Sequence, residues 1–85
     1  MLTSAQLRAA RGLLGWSQTE LAERAGLGFA TVQRAERDPD VITGNVKTVV
    51  KLQTALEDAG VVFIDADRDM GPGVRLARLV DRTPD

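Results

Sequence analysis

The sequence has no cysteine, no histidine and no tyrosine, and it holds a single tryptophan among its 85 residues. The absence of cysteine excludes disulfides, thiol nucleophiles and thiolate metal sites, and the absence of histidine removes the commonest general base and metal ligand. No segment approaches the ~18 consecutive apolar residues of a membrane span, and the N-terminus lacks the pattern of a signal peptide. We therefore expect a cytoplasmic protein that is not an enzyme and uses no cofactor or metal.

Neither sign of charge dominates. Eleven Lys and Arg stand against twelve Asp and Glu, a net charge of -1, which excludes a polycationic tail that coats nucleic acid by charge alone. The distribution is uneven, because residues 8–37 carry a local charge of +2, residues 38–69 one of -4, and the remainder from residue 70 one of +1. A weakly basic N-terminal half is thus followed by an acidic segment.

Capping signals and apolar spacing predict helices over the first 60 residues. The segments 3–6 and 17–20 each match the Ser/Thr-x-x-Glu/Gln capping box, and each is followed by apolar residues at helical spacing and a glycine stop. A third helical run covers residues 29–37, and Asn45 caps a fourth that ends at Gly60. Residues 38–44 have the composition of a loop.

After Gly60 the pattern changes. Val61 to Ile64 is short, β-branched and aromatic, which favours a strand. Residues 65–73 are turn material, and a return strand from Val74 to about Leu79 completes a hairpin, although that segment also tolerates helix. The expected fold is mostly α, with four to five helices in a helix-turn-helix domain over residues 1–60, a short C-terminal β-hairpin over 61–80 and a frayed tail over 81–85.

Residues 17–37 hold the pattern that carries function. Two short helices are separated by a tight turn, Ala22 is small where the helices must cross, and Gly26 tolerates the positive φ of the turn. Apolar positions that suit a small trihelical core are Leu21, Ala25, Leu27, Val32 and Ala35. This combination indicates a helix-turn-helix, and the alternative is a generic helical hairpin within a bundle.

The run from Trp16 to Leu27, WSQTELAERAGL, resembles the phage repressor and Cro-type helix-turn-helix family, the XRE group of bacterial regulators, and residues 31–37, TVQRAER, resemble its recognition-helix ending. The resemblance covers about residues 4–59 and implies a Cro/repressor-like fold that binds double-stranded operator DNA. It also implies a structural ion pair between Arg11 and Glu36. The DNA-binding residues that we predict are Gln18, Thr19, Phe29, Ala30, Thr31, Gln33, Arg34 and Arg37.

Some of these positions have competing interpretations. Arg34 suits bidentate contact with guanine, or it is a solvated surface arginine. Phe29 packs either on thymine methyl groups or back over Leu27 and the turn. Arg24 and Arg37 suit phosphate contact, and Gln18 corresponds to a family glutamine that contacts phosphate and buttresses the recognition helix.

The sequence departs from the family pattern at three places. Gly28 stands where a capping Ser or Thr is common, Phe29 and Ala30 stand where polar residues are usual, and Asp38 and Asp40 stand where relatives often have Lys or Asn near the DNA backbone.

The acidic segment 65–69 suggests a calcium site. It lacks the glycine and glutamate positions of a calcium-binding loop, however, so we expect a solvated turn instead.

One recognition helix reads only a few base pairs, so regulation favours a dimer. Val61, Val62, Phe63 and Ile64 are predicted to form the dimerisation element, because this strand is apolar on both faces; alternatively, it covers the fourth helix within one protomer. The predicted function is a homodimeric, sequence-specific transcriptional regulator, most simply a repressor at promoter operators. The alternative is an antitoxin or adaptor of the same fold that binds a protein partner through its acidic C-terminal half.

Overall fold

The computed structural model describes residues 2–37 and 45–77. Within these ranges the chain forms four helices and one antiparallel hairpin. The elements are α1 (Ser4–Leu14), α2 (Gln18–Ala25), α3 (Phe29–Arg37), α4 (Val46–Asp58), β1 (Val61–Ile64) and β2 (Gly73–Leu76). The expected mostly helical fold with a C-terminal hairpin is confirmed. The predicted loop over 38–44, including Asp38 and Asp40, the last residues of the predicted hairpin (78–80) and the tail over 81–85 lie outside the described residues.

The helix starts follow from local side chain to backbone hydrogen bonds. Thr3 and Gln6 form a reciprocal capping box at α1, because each side chain accepts from the backbone N–H of the other. The Ser17 side chain accepts from the N–H of Glu20 at α2, and the Asn45 side chain accepts from the N–H of Lys47 at α4. These bonds satisfy N–H groups that have no partner within the helix.

A left-handed glycine produces the tight turn between α2 and α3. Gly26 ends α2 at φ 69° and ψ 38°, a conformation that costs any other L-residue free energy. The N–H of Leu27 then donates to the carbonyl of Ala22 at 2.9 Å. Only Leu27 and Gly28 separate this glycine from α3, so the second and third helices are held in a fixed relative orientation.

One apolar core collects side chains from every described helix and from β1. Its fully buried leucines are Leu7, Leu21, Leu52 and Leu56, and around them lie Leu2, Ala10, Ala22, Val32, Ala35 and Val61. Ala22 is buried on α2, the helix that packs across α3 and against α4. No helix among the described residues is long and apolar enough to cross a membrane.

The hairpin packs on α1 and α4 through one of its faces. The register pairs Val61 with Leu76 and Phe63 with Val74, and all four side chains contact the core. Gln6, which is buried, donates from Nε2 to the carbonyls of Ile64 and Gly73 at 3.2 and 3.0 Å. The hairpin is thereby attached to the first turn of α1 by hydrogen bonds as well as by apolar contact.

Candidate nucleic-acid interface

The third helix has one buried face and one exposed face. Val32 and Ala35 are in the core and Glu36 is buried beside them. The opposite side exposes the side chains of Phe29, Ala30, Gln33, Arg34 and Arg37, while Thr31 is half-buried. Six of the eight predicted DNA-binding residues thus lie on this helix, five of them on its solvent-exposed side.

Glu36 is the buried acid that fixes α3 to the first two helices. Its carboxylate accepts from Arg11 Nε at 2.6 Å and Arg11 Nη2 at 2.8 Å, and from Gln18 Nε2 at 3.1 Å. The hydrogen bonds to Glu36 raise the pKa of Arg11 above its ordinary value, against the opposing effect of burial. The Glu36 side chain is only 3% exposed, and the Arg11 guanidinium neutralises its carboxylate through two hydrogen bonds.

Two further side chains of α1 bind the end of α3. Ser4 Oγ donates to the carbonyl of Ala35 at 2.6 Å, and Arg8 Nη1 donates to the backbone carbonyl of Glu36. The carbonyls in the last turn of a helix have no partner within the helix, and a cation there also interacts favourably with the helix dipole. These contacts anchor the C-terminal turn of α3 to α1.

The anchoring leaves the exposed face of α3 positive. Arg34 and Arg37 are exposed, whereas the only acid of this helix, Glu36, is buried and ion-paired. The whole chain has a net charge of -1, but the exposed charged side chains of α3 are both positive.

The start of α2 lies next to α3 and supplies a second polar region. Thr19 is exposed, and Gln18 is half-buried because its side chain reaches Glu36. The Ser17 cap satisfies the N–H of Glu20, and the first N–H groups of a helix, here those of Gln18 and Thr19, have no partner within it. A helix N-terminus of this kind suits a phosphate.

The Arg24 side chain contacts two neighbouring side chains within its own protomer. Its Nε lies 2.9 Å from Glu20 Oε2, and its guanidinium stacks 4.9 Å from the centroid of the Trp16 ring. Trp16 itself is half-buried and packs against the core. The stacking is a cation–π contact, so Arg24 shields the tryptophan that lies between α1 and α2.

Phe29 is 45% exposed at the start of α3. Leu27 before it is half-buried and packs against the core, whereas Phe29 keeps nearly half of its surface in contact with solvent. Its ring is therefore accessible to a ligand at this surface.

Sequence reasoning missed the long-range contacts by which three residues of α1 hold α3 and the hairpin in place. Ser4, Gln6 and Arg8 contact segments 28 to 67 positions away in sequence. The capping pattern identified Gln6 only as a local cap. Nothing local in the sequence signals the contacts of Ser4 and Arg8 with the carbonyls of α3.

Hydrogen bonds to one carboxylate shape the acidic turn after β1. Asp67 Oδ1 accepts from the N–H groups of Asp69 and Met70, each at 2.8 Å. These hydrogen bonds lower the pKa of Asp67 below its ordinary value of 3.8. Residues 2–37 and 45–77 contain no group of acidic side chains placed to hold a metal ion.

Helices α2 and α3 are joined by a glycine turn, and α3 presents a positive, polar face. This arrangement defines a helix-turn-helix DNA-binding domain. The HTH_3 family model, described as helix-turn-helix, matches residues 7–57, more than half of the chain. The chain therefore belongs to the XRE-type helix-turn-helix family of DNA-binding transcriptional regulators. A search of curated proteins and a search of solved structures each gave no match.

Proposed function

We propose that the protein is a homodimeric repressor that recognises a specific operator sequence by inserting α3 into the major groove. The observation that carries this proposal is the exposed face of α3, which presents Gln33, Arg34 and Arg37. The acid of this helix, Glu36, is buried and paired with Arg11, so it does not offset the positive charge of that face. The helix is held on its other side by the core and by α1.

Base recognition is assigned to the middle of this face. The guanidinium of Arg34 can bond O6 and N7 of guanine together, and the amide of Gln33 can bond N6 and N7 of adenine. Phe29, Ala30 and Thr31 lie toward the N-terminal end of α3, where apolar and methyl groups suit thymine methyl groups. The exposure of the Phe29 ring supports this role over packing on the turn.

Phosphate contacts are assigned to the rim of the same surface. The free N–H groups at the start of α2 and the hydroxyl of Thr19 suit one phosphate. Arg37, exposed at the end of α3, suits another. Gln18 acts as a buttress, since its amide holds Glu36 in place. Arg24 is a weaker candidate, because phosphate would compete with Glu20 and Trp16 for it.

Dimerisation follows from the limited reach of one recognition helix. A dimer presents two such helices to half-sites about one helical turn apart, ~34–36 Å. We assign residues 1–60 to DNA binding and residues 61–80 to dimerisation. Within β1, Val61 belongs to the core of its own protomer and Phe63 packs against it, whereas Val62 and Ile64 are 39% and 40% exposed. The contact with a second protomer is therefore assigned to Val62 and Ile64.

Repression requires only that the bound dimer cover a promoter. Selection of bound duplexes from a random-sequence library, followed by footprinting, tests the proposal. We expect enrichment of one inverted-repeat sequence whose half-site centres lie ~34–36 Å apart, with protection over both halves. Enrichment of no sequence at moderate salt would contradict sequence-specific recognition, and enrichment of isolated half-sites would contradict the dimer.

A further inference from the structure

The hairpin presents a second face that no described part of the chain covers. The side chains of Val62, Ile64 and Arg75 point away from the core, because they alternate with the inward-facing residues of β1 and β2. Gly73 is paired with Ile64 and carries no side chain; the nearest side-chain atom to a β-carbon built there is Ile64 Cδ1, at 3.9 Å. The outer face is thus a small apolar surface that is open above Gly73.

Opposite charges stand at the two ends of this outer face. Arg75 is paired with Val62 at one end, is exposed, and has no ion-pair partner among residues 2–37 and 45–77. At the other end lies the turn that contains Asp65, Asp67 and Asp69, all exposed. Arg68 also belongs to this turn, so residues 65–69 carry a local charge of -2.

A surface with an apolar centre, a positive end and a negative end is complementary to a reversed copy of itself. A two-fold axis relates the same patch on two subunits, so each contact occurs twice. If the axis lies in the interface and perpendicular to the strands, β1 stacks on the partner's β1 in the opposite direction. Each positive end then meets the partner's negative end.

We propose that the outer face of the hairpin is the dimer interface and that its charge polarity sets the antiparallel orientation; this proposal rests on the homodimer assigned above. Val62 contacts the partner's Ile64, and Ile64 contacts the partner's Val62. Arg75 lies over the partner's Gly73, where the missing side chain leaves room, and its guanidinium pairs with the partner's acidic turn. The positive charge that has no ion-pair partner among the described residues of its own protomer is thereby matched.

The size of the face sets the strength of the contact. Stable interfaces bury about 1,200–2,000 Å² in total, whereas this face offers two aliphatic side chains that are each about two-fifths exposed. We therefore expect a reversible dimer whose dissociation depends on protein concentration. Screening of the charge pairs by salt weakens it further.

A charge exchange on the full-length chain tests the orientation. Arg75→Asp places like charges against the partner's acidic turn, whereas Asp69→Arg removes the net charge of -2 from the turn and adds an arginine that faces the partner's Arg75. Asp69 is the residue to change, because the turn uses the Asp67 carboxylate and only the backbone N–H of Asp69. Mixing the two variants in equal amounts creates a heterodimer in which both contacts are again between opposite charges, while neither homodimer retains a net attraction between position 75 and the partner's turn.

Sedimentation equilibrium gives the dissociation constants. We expect each variant alone to self-associate roughly tenfold or more weakly than the natural sequence, since like charges across an interface are strongly unfavourable, and we expect the equimolar mixture to recover the association. Lys51→Asp is the matched control, because it makes the same charge change at an exposed site on α4 and should leave the association unchanged. Circular dichroism melting shows whether each variant is folded.

Two outcomes would overturn this interface while leaving the dimeric function intact. Folded variants that associate as strongly as the natural sequence would place the dimer contact elsewhere, and so would variants that are weakened but not recovered on mixing. A natural chain that stays monomeric both free and on its selected duplex would overturn the dimer and this interface together. Protection of a specific sequence by that monomer would still support recognition by α3.

Discussion

Arg11 and Glu36 form a bidentate pair that joins the first helix to the third, with Nε 2.6 Å from Oε2 and Nη2 2.8 Å from Oε1. Arg11 also donates from Nη1 to the carbonyl of Trp16 at 2.9 Å, and Glu36 also accepts from Gln18. One carboxylate thus connects α1, the start of α2 and α3. This connection orients the face of α3 that we assign to DNA.

Removing one partner of this pair should destabilise the fold strongly. Arg11→Met leaves the Glu36 carboxylate buried without its cation, and breaking a buried pair in this way costs about 3–5 kcal/mol. We expect a loss toward the lower end, because the Arg11 side chain is still 21% exposed. Urea unfolding measures the change.

The double variant Arg11→Met with Glu36→Leu should recover part of the loss, because no buried charge is then left unpaired. Glu20→Gln is the matched control: it breaks the exposed pair with Arg24, whose side chains are 57% and 41% exposed, and should cost no more than about 1 kcal/mol. Equal losses for the exposed and buried pairs would contradict the assigned role of Glu36.

Two glycines should respond to alanine with opposite signs. Gly26 has φ 69° at the helix-turn-helix turn, where an L-residue costs about 1–2 kcal/mol, so Gly26→Ala should lower the free energy of unfolding. Gly12 lies within α1, and a β-carbon added there would meet no atom within 4 Å, so Gly12→Ala should raise the free energy of unfolding by roughly 0.5–1 kcal/mol. Thermal and urea unfolding of both variants check this, and a neutral Gly26→Ala would show that the turn can relax.

Gln6 should control the attachment of the hairpin. Gln6→Leu removes the donor to the carbonyls of Ile64 and Gly73 as well as the acceptor for the N–H of Thr3. Leaving buried polar groups unsatisfied costs about 1–3 kcal/mol, and the opening should be local. Amide hydrogen exchange should accelerate in β1 and β2 relative to α2.

The control for this variant is Gln53→Leu, which removes only an exposed hydrogen bond to Glu57 on α4. It should leave the exchange of the hairpin amides unchanged. Uniform acceleration over the whole chain in Gln6→Leu would indicate a general loss of stability instead of a specific attachment.

The acidic turn should depend on pH in one direction. The N–H groups of Asp69 and Met70 lower the pKa of Asp67 in the folded state, so the carboxylate favours folding at pH values above its unfolded pKa, and this contribution is lost as the pH falls through the folded pKa. NMR titration should place the Asp67 midpoint below the ordinary, model-peptide value of 3.8. Asp67→Asn keeps an acceptor oxygen and should remove this local pH dependence; a midpoint at or above the model-peptide value would contradict the turn geometry.

Local signals account for most of the predictable structure. The starts of α1, α2 and α4 follow from Thr3, Ser17 and Asn45, because a cap bonds to a backbone N–H within three residues. The exposed face of α3 also follows, since helical spacing separates Val32 and Ala35 from Gln33 and Arg34. The sequence resemblance supplied the pairing of Arg11 with Glu36.

Contacts between distant segments could not be predicted in this way. All four residues of β1 are apolar, so the sequence alone does not show which face is buried. The packed structure shows that Val61 is buried and Val62 is exposed. Arg24 suited phosphate because it does not lie on an apolar face, but its side chain stacks on Trp16, and the order of residues does not reveal this contact. The contacts of Gln6 with Ile64 and Gly73 depend on tertiary packing alone.

The central claim is that the exposed face of α3 reads DNA sequence, and Arg34→Ala tests it most directly. Fluorescence anisotropy should be measured at fixed salt on the selected duplex and on a scrambled duplex of equal length, with Lys51→Ala, another exposed cation, as the control. A bidentate base contact is worth about 1–3 kcal/mol of discrimination, or roughly fivefold to 150-fold in affinity. Arg34→Ala should therefore lose affinity for the selected duplex within that range and much less for the scrambled one. Equal losses on the two duplexes, or no loss on either, would contradict base reading by this helix.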